Sequence, residues 1–518
     1  MGGVEKNNES SEIQEAPEQF RVRAEKRARM LAEGTDPYPV ELPITSTIKK
    51  VCEEFDHLEI DEQSPAPVGV AGRVMFIRGS GKLQFVVIQD GEGNRIQVML
   101  SAKEVGSDSL KEFKANVDLG DHLFVHGPAM RSRRGELSIF AQPSEDAPAW
   151  RITSKALRPL PKTFTTDAGE EMSLSEEARI RQRHLDMILR PAAREMVRTR
   201  ADVVWSLRDY FHCEGFLEIE TPMLQNIHGG AAARPFQTHM NAYDTELYLR
   251  IAPELFLKRA VVGGVEKVFE INRNFRNEGA DSSHSPEFTM LEAYEAYGTY
   301  NTMAARTRDF IQKAARDVFG TEKVTLADGS EYDLSGQWDE ISLYEVVSEA
   351  VKEEITPETE LSRLVKLAEE RGIAVPDHAV AGKVVEEIFE HEVGDHLWAP
   401  TFVRDYPVDT SPLVRQHRSL PGRVEKWDLY VRGFELATAY SELVDPVIQR
   451  ERFEAQALAA ANGDPEAMVL DEDFLQAMEQ GMPPTGGMGM GLDRLLMALT
   501  GYGIRETITF PLVKRIEN

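Results

Sequence analysis

From Val68 to Ala141 apolar residues alternate with polar ones in five short runs: VGVAGRVMFI, LQFVVIQ, RIQVML, HLFVHG and ELSIFA. Gly-rich stretches such as GSGK and DGEGN separate them, so the runs read as strands joined by tight turns. A period of two places every second side chain on one face, which commits the segment to a sheet with one buried side. A helical stretch from about Ala102 to Val117 falls between the third and fourth runs. Five strands with one helix after the third is the order expected of an OB-type barrel. Such barrels hold single-stranded nucleic acid by stacking bases on aromatic side chains and reading base edges with polar ones. Phe85, Arg73, Gln97 and Glu136 are the residues here of the right kind.

A Pro-containing connector, RITSKALRPLPK, then leads to a different pattern. A helix is expected from about Ser175 to Ile188. A longer one follows, in which Val197, Val204, Leu207 and Phe211 recur at helical spacing. FLEIETP reads as a strand stopped by Pro222, and YLRIA and KVFEINRNF as further strands. KWDLYVRGFELATAYSEL returns to strand character before a Gly-rich turn and a closing helix. Strands and helices mix without a regular βαβ alternation, which favours an α+β domain built on an antiparallel sheet flanked by helices. At 518 residues the chain exceeds what one core organises. The expected organisation is a disordered acidic tail over residues 1–17, an N-terminal helical extension over 18–65 and the OB-type barrel over 66–150. A linker over 151–174 and the large domain over 175–518 follow, the latter with a helical insertion at about 345–400.

The net charge of -28 argues against a nucleic-acid partner only until its distribution is considered. Arg21, Arg23, Lys26, Arg27 and Arg29 form a basic stretch, and Arg131, Arg133 and Arg134 a second cluster. Cys52 and Cys213 are the only cysteines, too few for a disulfide framework or a thiolate metal cluster. A reducing cytoplasm is the expected setting. No apolar run reaches the roughly 20 residues that a membrane helix needs, so no membrane partner is expected.

Two glycine motifs fail on inspection. GSGKL at Gly79–Leu83 lacks the earlier glycine of a phosphate loop, position 76 being Phe76, and Leu83 replaces the Ser or Thr that would hold magnesium. GGMGMGLDR at Gly486–Arg494 lacks the dinucleotide spacing and lies too near the end of the sequence to complete that unit.

Three other segments carry more weight: GFLEIETPML at Gly215–Leu224, FEINRNFRNEG with HSPEFTMLEAY between Phe269 and Tyr294, and GMGMGLDRLLM at Gly487–Met497. In this order they resemble motifs 1, 2 and 3 of the class II aminoacyl-tRNA synthetases. The likeness is closest to the lysyl-tRNA synthetases of bacterial type. It covers nearly the whole chain from about Phe20, through RQRHLDMI, HGGAAARPF, LYLRIAPELFLKR and FELATAYSEL.

The resemblance implies activation of lysine with ATP, then transfer of lysine to tRNA(Lys). Joining a carboxylate to a phosphate brings two anions together, and a guanidinium that forks onto both answers that need. By resemblance Arg276 is that cation and Arg494 meets the γ-phosphate end of ATP. Glu278 and His284 lie near the nucleotide, Phe288 against the adenine, and Glu435 and Gly491 also belong to the ATP site. The glycines before Arg494 are expected to let backbone approach the nucleotide. Magnesium takes hard oxygen ligands; by resemblance these are Asp428 and Glu435, the family more often having Glu at the first position. Glu442 and Tyr294 fall at the lysine ε-ammonium, and Glu254 with Gly230 near its α-amino end. Glu292, Tyr440 and Arg276 line the same pocket, as does Thr438, where the family commonly has Asn. A pocket whose buried acids require a cation rejects neutral and acidic amino acids. Glu435 has the wrong strand parity to share a face with Thr438, Tyr440 and Glu442, so a bulge is expected near Leu436 to Thr438. A homodimer built around the first motif, with Pro222 near the interface, is also implied. Alternatives are a relative that lysylates a protein, an inactive RNA-binding relative, and an aspartate- or asparagine-specific enzyme.

Overall fold

The computed structural model describes residues 17–161, 164–165, 171–172, 174–281, 284–375, 379–461 and 469–514. The tail expected over residues 1–17 lies, as far as residue 16, outside them. The chain divides into two compact units, Met1–Arg194 and Glu195–Asn518.

In the first unit α1 (Glu18–Ala32) and α2 (Ile48–Phe55) precede β1 (Gln63–Ser80), β2 (Leu83–Gln89) and β3 (Arg95–Ser101). Two helices, α3 (Ala102–Val105) and α4 (Ser107–Asn116), lead to β4 (His122–Arg131), β5 (Leu137–Phe140) and β6 (Trp150–Ser154). The pairings run β1–β2–β3–β5–β4 and return from β4 to β1, so the five strands close a ring. Alternation supplies the filling: Val70, Val74, Val86, Ile88, Val98, Leu100, Val125 and Ile139 are buried inside it. Each such side chain contributes roughly 1.5–3 kcal/mol on leaving water. Arg151–Ser154, read from the sequence as the start of a connector, instead form the strand that pairs with the free side of β4.

The basic stretch turns out to be used locally. Arg23 donates to the carbonyls of Ala156 and Arg158 at 3.1 and 3.3 Å. Lys26 reaches Asp118 at 2.7 Å and Arg29 reaches Asn116 at 2.6 Å. Three of its five cations therefore tie α1 to its own unit.

In the second unit eight strands form one sheet. In chain order the elements are α5 (Pro191–Cys213, entering from the first unit), β7 (Leu217–Glu218), α6 (Glu254–Val262), β8 (Lys267–Phe275), β9 (Glu287–Ala296) and α7 (Tyr300–Phe319). Then come β10 (Asp339–Ser342), α8 (Leu343–Val351), α9 (Leu361–Glu369), α10 (Ala381–Glu392), β11 (Thr401–Arg404), β12 (Lys426–Val431), β13 (Phe434–Ser441), β14 (Thr485–Gly491) and α11 (Leu492–Thr500). The strand order is β10-β11-β12-β13-β14-β9-β8-β7. All neighbours are antiparallel except the pair at each edge. One face packs Phe269, Leu291, Trp427, Leu429, Ala437, Met488 and Met490 against Leu207 and Phe211 of α5, Phe310 of α7, and Leu495 and Leu499 of α11.

One expectation needs correction. The Gly-rich segment before the closing helix is not a turn but the central strand β14. The helical insertion packs on the sheet itself. Its helices α8, α9 and α10 lie between the parallel edge strands β10 and β11, and Val347, Leu364, Ile388 and Phe389 share a core with Val403 and Tyr430 of the sheet.

Candidate active site

The opposite face of that sheet carries the polar residues, and strand parity decides which. On β9 Leu291 and Ala293 face the core, so Met290, Glu292 and Tyr294 face the other way. On β12 the same rule turns out Lys426, Asp428 and Tyr430, and on β13 Thr438 and Tyr440. On β14 it turns out Gly487 and Gly489. Together with Gly230, Glu254 and Arg276 these residues line a cavity of about 340 Å³.

Glu435 joins them through the expected bulge. Leu429 pairs with Ala437 but Tyr430 pairs with Glu435, which leaves Leu436 without an opposite number. The shift reverses parity, so Glu435 lines the same cavity as Thr438 and Tyr440.

The glycines of β14 lie against the pocket's own side chains. A Cβ on Gly487 would collide with Glu442 Oε1 and the Tyr294 ring, and one on Gly489 would press on Met290 and Glu292. Only Gly491 faces Arg494, whose aliphatic stem lies 3.5–3.6 Å from a Cβ built there. The small residues thus make room for the pocket's acids.

Glu292 is buried and accepts from the Tyr294 hydroxyl at 3.4 Å. Burial, then the neighbouring Glu254, pushes its carboxyl well above the ordinary range. Gly230 has φ +86 and would bring a Cβ to 2.9 Å from that of Glu254, so the loop closes directly on α6. Glu442 lies just behind the cavity wall, ion-paired to Lys258 at 2.5 Å. Its Oε1, which lies beside Gly487, has no hydrogen-bond partner. Burial pushes the Glu442 carboxyl up, Lys258 opposes that, and Glu254 reinforces it.

Arg276 stacks over Phe288, its Cζ 5.1 Å from the ring centroid, and its buried Nε has no hydrogen-bond partner. Burial lowers its affinity for the proton, while Glu278, Glu292 and Glu435 counteract that. Glu278 accepts from the backbone of Arg234 at 3.3 Å. Arg494 donates to the Glu435 carbonyl at 2.7 Å and meets His284 Nε2 at 3.2 Å. Asp428 is ion-paired through Oδ2 to Lys426 at 3.0 Å, whereas its Oδ1 is buried without a partner.

Sequence reasoning missed four things. Lys258 is completely buried among the pocket acids; its spacing of four from Glu254 on a helix was the available signal. Asp493 pairs with Arg200 at 2.5 Å and accepts from the Thr289 amide at 2.8 Å, tying α5, β9 and α11 together. Glu386 and Glu390 of the insertion line the cavity, with Glu390 pushed up to about 7, chiefly by burial. In the first unit Phe85, Gln97 and Glu136 share a concave surface, but Arg73 lies apart, donating to the Gly120 carbonyl at 2.9 Å. Arg78 takes its place, with Cζ 5.3 Å over the Phe85 ring and Nη2 3.2 Å from Gln97.

Residues 175–514 match the family model of class II tRNA synthetases (D, K and N), and residues 68–143 that of the OB-fold nucleic acid binding domain. A lysine–tRNA ligase of Kineococcus radiotolerans is 61% identical over 504 residues, 97% of this chain and 98% of that one. One from Mycolicibacterium gilvum is 59% identical over the same shares. The lysylphosphatidylglycerol biosynthesis bifunctional protein LysX of Gordonia bronchialis is 49% identical over 96% of this chain, but only 42% of its own length is covered.

Proposed function

Because this chain belongs to the class II tRNA synthetases, we propose that it activates L-lysine with ATP and transfers the lysine to the 3′ end of tRNA(Lys). The observation that carries the reading is one cavity in which Arg276, its buried Nε without a hydrogen-bond partner, stands beside Glu254 and Glu292, with a third buried acid, Glu442, just behind the wall. Lysine is the amino acid whose two ammonium groups answer such a pocket, Glu254 taking the α end and Glu442 the ε end. Tyr294, Tyr440 and Thr438 wall the aliphatic stem between them.

No protein nucleophile is required. The lysine carboxylate attacks the α-phosphorus, a P–O bond forms, and pyrophosphate leaves with the electrons of the broken bond. Arg276 bridges the two anions and gains most where charge concentrates in the transition state. Phe288 offers a face for adenine, and His284, Glu278 and Arg494 hold the nucleotide ends. A ribose hydroxyl of the tRNA then attacks the lysyl carbonyl and AMP leaves.

Asp428 and Glu435 would hold magnesium, whose charge would offset that of the phosphates. The open Oδ1 of Asp428 suits a hard cation, and two carboxylates are what magnesium commonly takes beside phosphates. In the first unit Phe85 and Arg78 would stack an anticodon base, with Gln97 and Glu136 reading its edges. Val197, Trp205, Leu217, Met223, Leu224 and Ile227 are exposed around the first motif, which supports a homodimer there. Two free cysteines suit a reducing cytoplasm. Among the described residues no helix is long and apolar enough to cross a membrane. The presence of Arg276, Arg494 and an OB-fold disfavours a relative that is inactive or acts without tRNA. Charging of tRNA with radiolabelled lysine tests the reading; labelling that depends on ATP supports it, and labelling of protein in the absence of tRNA would overturn it.

A further inference from the structure

Lys258 is used by no step above, yet it is among the most deeply buried cations of the second unit. It extends from α6, one helical turn after Glu254, and its Nζ lies 2.6 Å from Glu254 Oε1 and 2.5 Å from Glu442 Oε2. Its side chain is fully inaccessible, as is that of Glu442. Each acid stands at one end of the proposed lysine site. Two buried carboxylates this close would share a proton in the absence of a cation, because like charges in a poorly solvated site cannot both ionise. A burial cost of that size is tolerated only when a permanent counter-charge compensates it. Among the described residues, Lys258 is the cation that touches both acids.

We propose that Lys258 is a positioning residue for amino-acid selection, whose ammonium sits between the Glu254 and Glu442 carboxyl groups and fixes both in place so that each can receive one ammonium group of the substrate. The proposal rests on the lysine pocket described above. Lys258 meets Oε2 of Glu442, whereas Oε1, beside Gly487 of the cavity wall, has no hydrogen-bond partner, so acceptor capacity remains for an incoming ammonium. Removal of Lys258 leaves the two acids facing each other with no cation between them, so neither is held in place. The substrate ammonium then meets a weaker partner, while a neutral side chain no longer strands a charge. Affinity for lysine falls and tolerance of neutral analogues rises together. ATP contacts, made by Arg276, His284 and Arg494, stay as they were.

The test is lysine- and norleucine-dependent ATP–pyrophosphate exchange by the full-length wild type, Lys258→Met and Lys258→Arg, normalised to active sites by adenylate burst. Expected for Lys258→Met is a rise of at least about tenfold in KM for lysine, with kcat and KM for ATP within about threefold. The preference for lysine over norleucine falls at least about tenfold, and Lys258→Arg recovers part of it because the charge returns. Lys258→Gln, which keeps a donor without the charge, serves in place of Lys258→Met if the latter does not fold. Unchanged lysine KM and preference in a neutral variant would overturn the proposal, as would equal losses in lysine and ATP parameters. A wild type that responds to lysine in the same experiment separates this failure from failure of the lysine reading itself; a wild type that does not respond overturns both.

Discussion

Substituting alanine for Gly487 isolates one physical cause. Gly487 lies in an ordinary extended conformation, since it is absent from the positions with positive φ, so backbone strain plays no part. Space does. The added methyl would meet Tyr294 Cε1 at 2.5 Å and Cδ1 at 2.7 Å, and Glu442 Oε1 closer still. Overpacking of this kind costs about 1–3 kcal/mol, and replacing a strand glycine returns about 0.5–1 kcal/mol. Net destabilisation is therefore small, about 0–2.5 kcal/mol on the same two principles. The atoms that must yield, however, are those assigned to the ε-ammonium. Loss of a buried charge pair's geometry costs about 2–5 kcal/mol, which at 1.36 kcal/mol per decade is about 30- to 5000-fold in kcat/KM for lysine. KM for ATP should change less than about threefold. Steady-state exchange kinetics beside a thermal melt provide the readout. If Gly487→Ala impairs ATP and lysine equally, or leaves lysine kinetics intact, the assignment of Glu442 to the ε-ammonium is refuted.

Arg276→Ala should lower kcat for lysine-dependent exchange by about 10²–10³, the usual cost of removing one preorganised donor to developing charge; single-turnover adenylate formation measures it. Asp428→Asn should raise the magnesium concentration needed for half-maximal exchange while leaving lysine KM at saturating magnesium nearly unchanged, as a magnesium titration will show. Phe85→Ala should weaken tRNA charging by about 1–3 kcal/mol of lost base stacking. Exchange without tRNA should not respond.

Much of this was legible because strand parity needs no tertiary information. Once Leu291 and Trp427 are taken as core, Glu292, Tyr294 and Asp428 must share the other face. The mismatch of Glu435 with Thr438 was visible for the same reason, and the slip opposite Leu429 resolves it. What was illegible depends on distant packing. Asp493 and Arg200 stand 293 positions apart and meet only when α5 crosses β9. Glu386 and Glu390 read as solvated acids of an amphipathic helix until α10 docks beside Tyr430. Arg73 and Arg78 lie on one strand, and the bulge between Val74 and Phe76 decides which accompanies Phe85. The GMGMG segment was misread as a turn because its glycines outweighed an alternation with Met that is itself a strand signature.

The central claim is that three buried acids select a dicationic amino acid for adenylation. Amino-acid-dependent ATP–pyrophosphate exchange, run with each of the 20 amino acids and magnesium in the absence of tRNA, tests it most directly. Exchange driven by lysine alone is the expected result; exchange with aspartate or asparagine, or with none of the 20, would contradict the account.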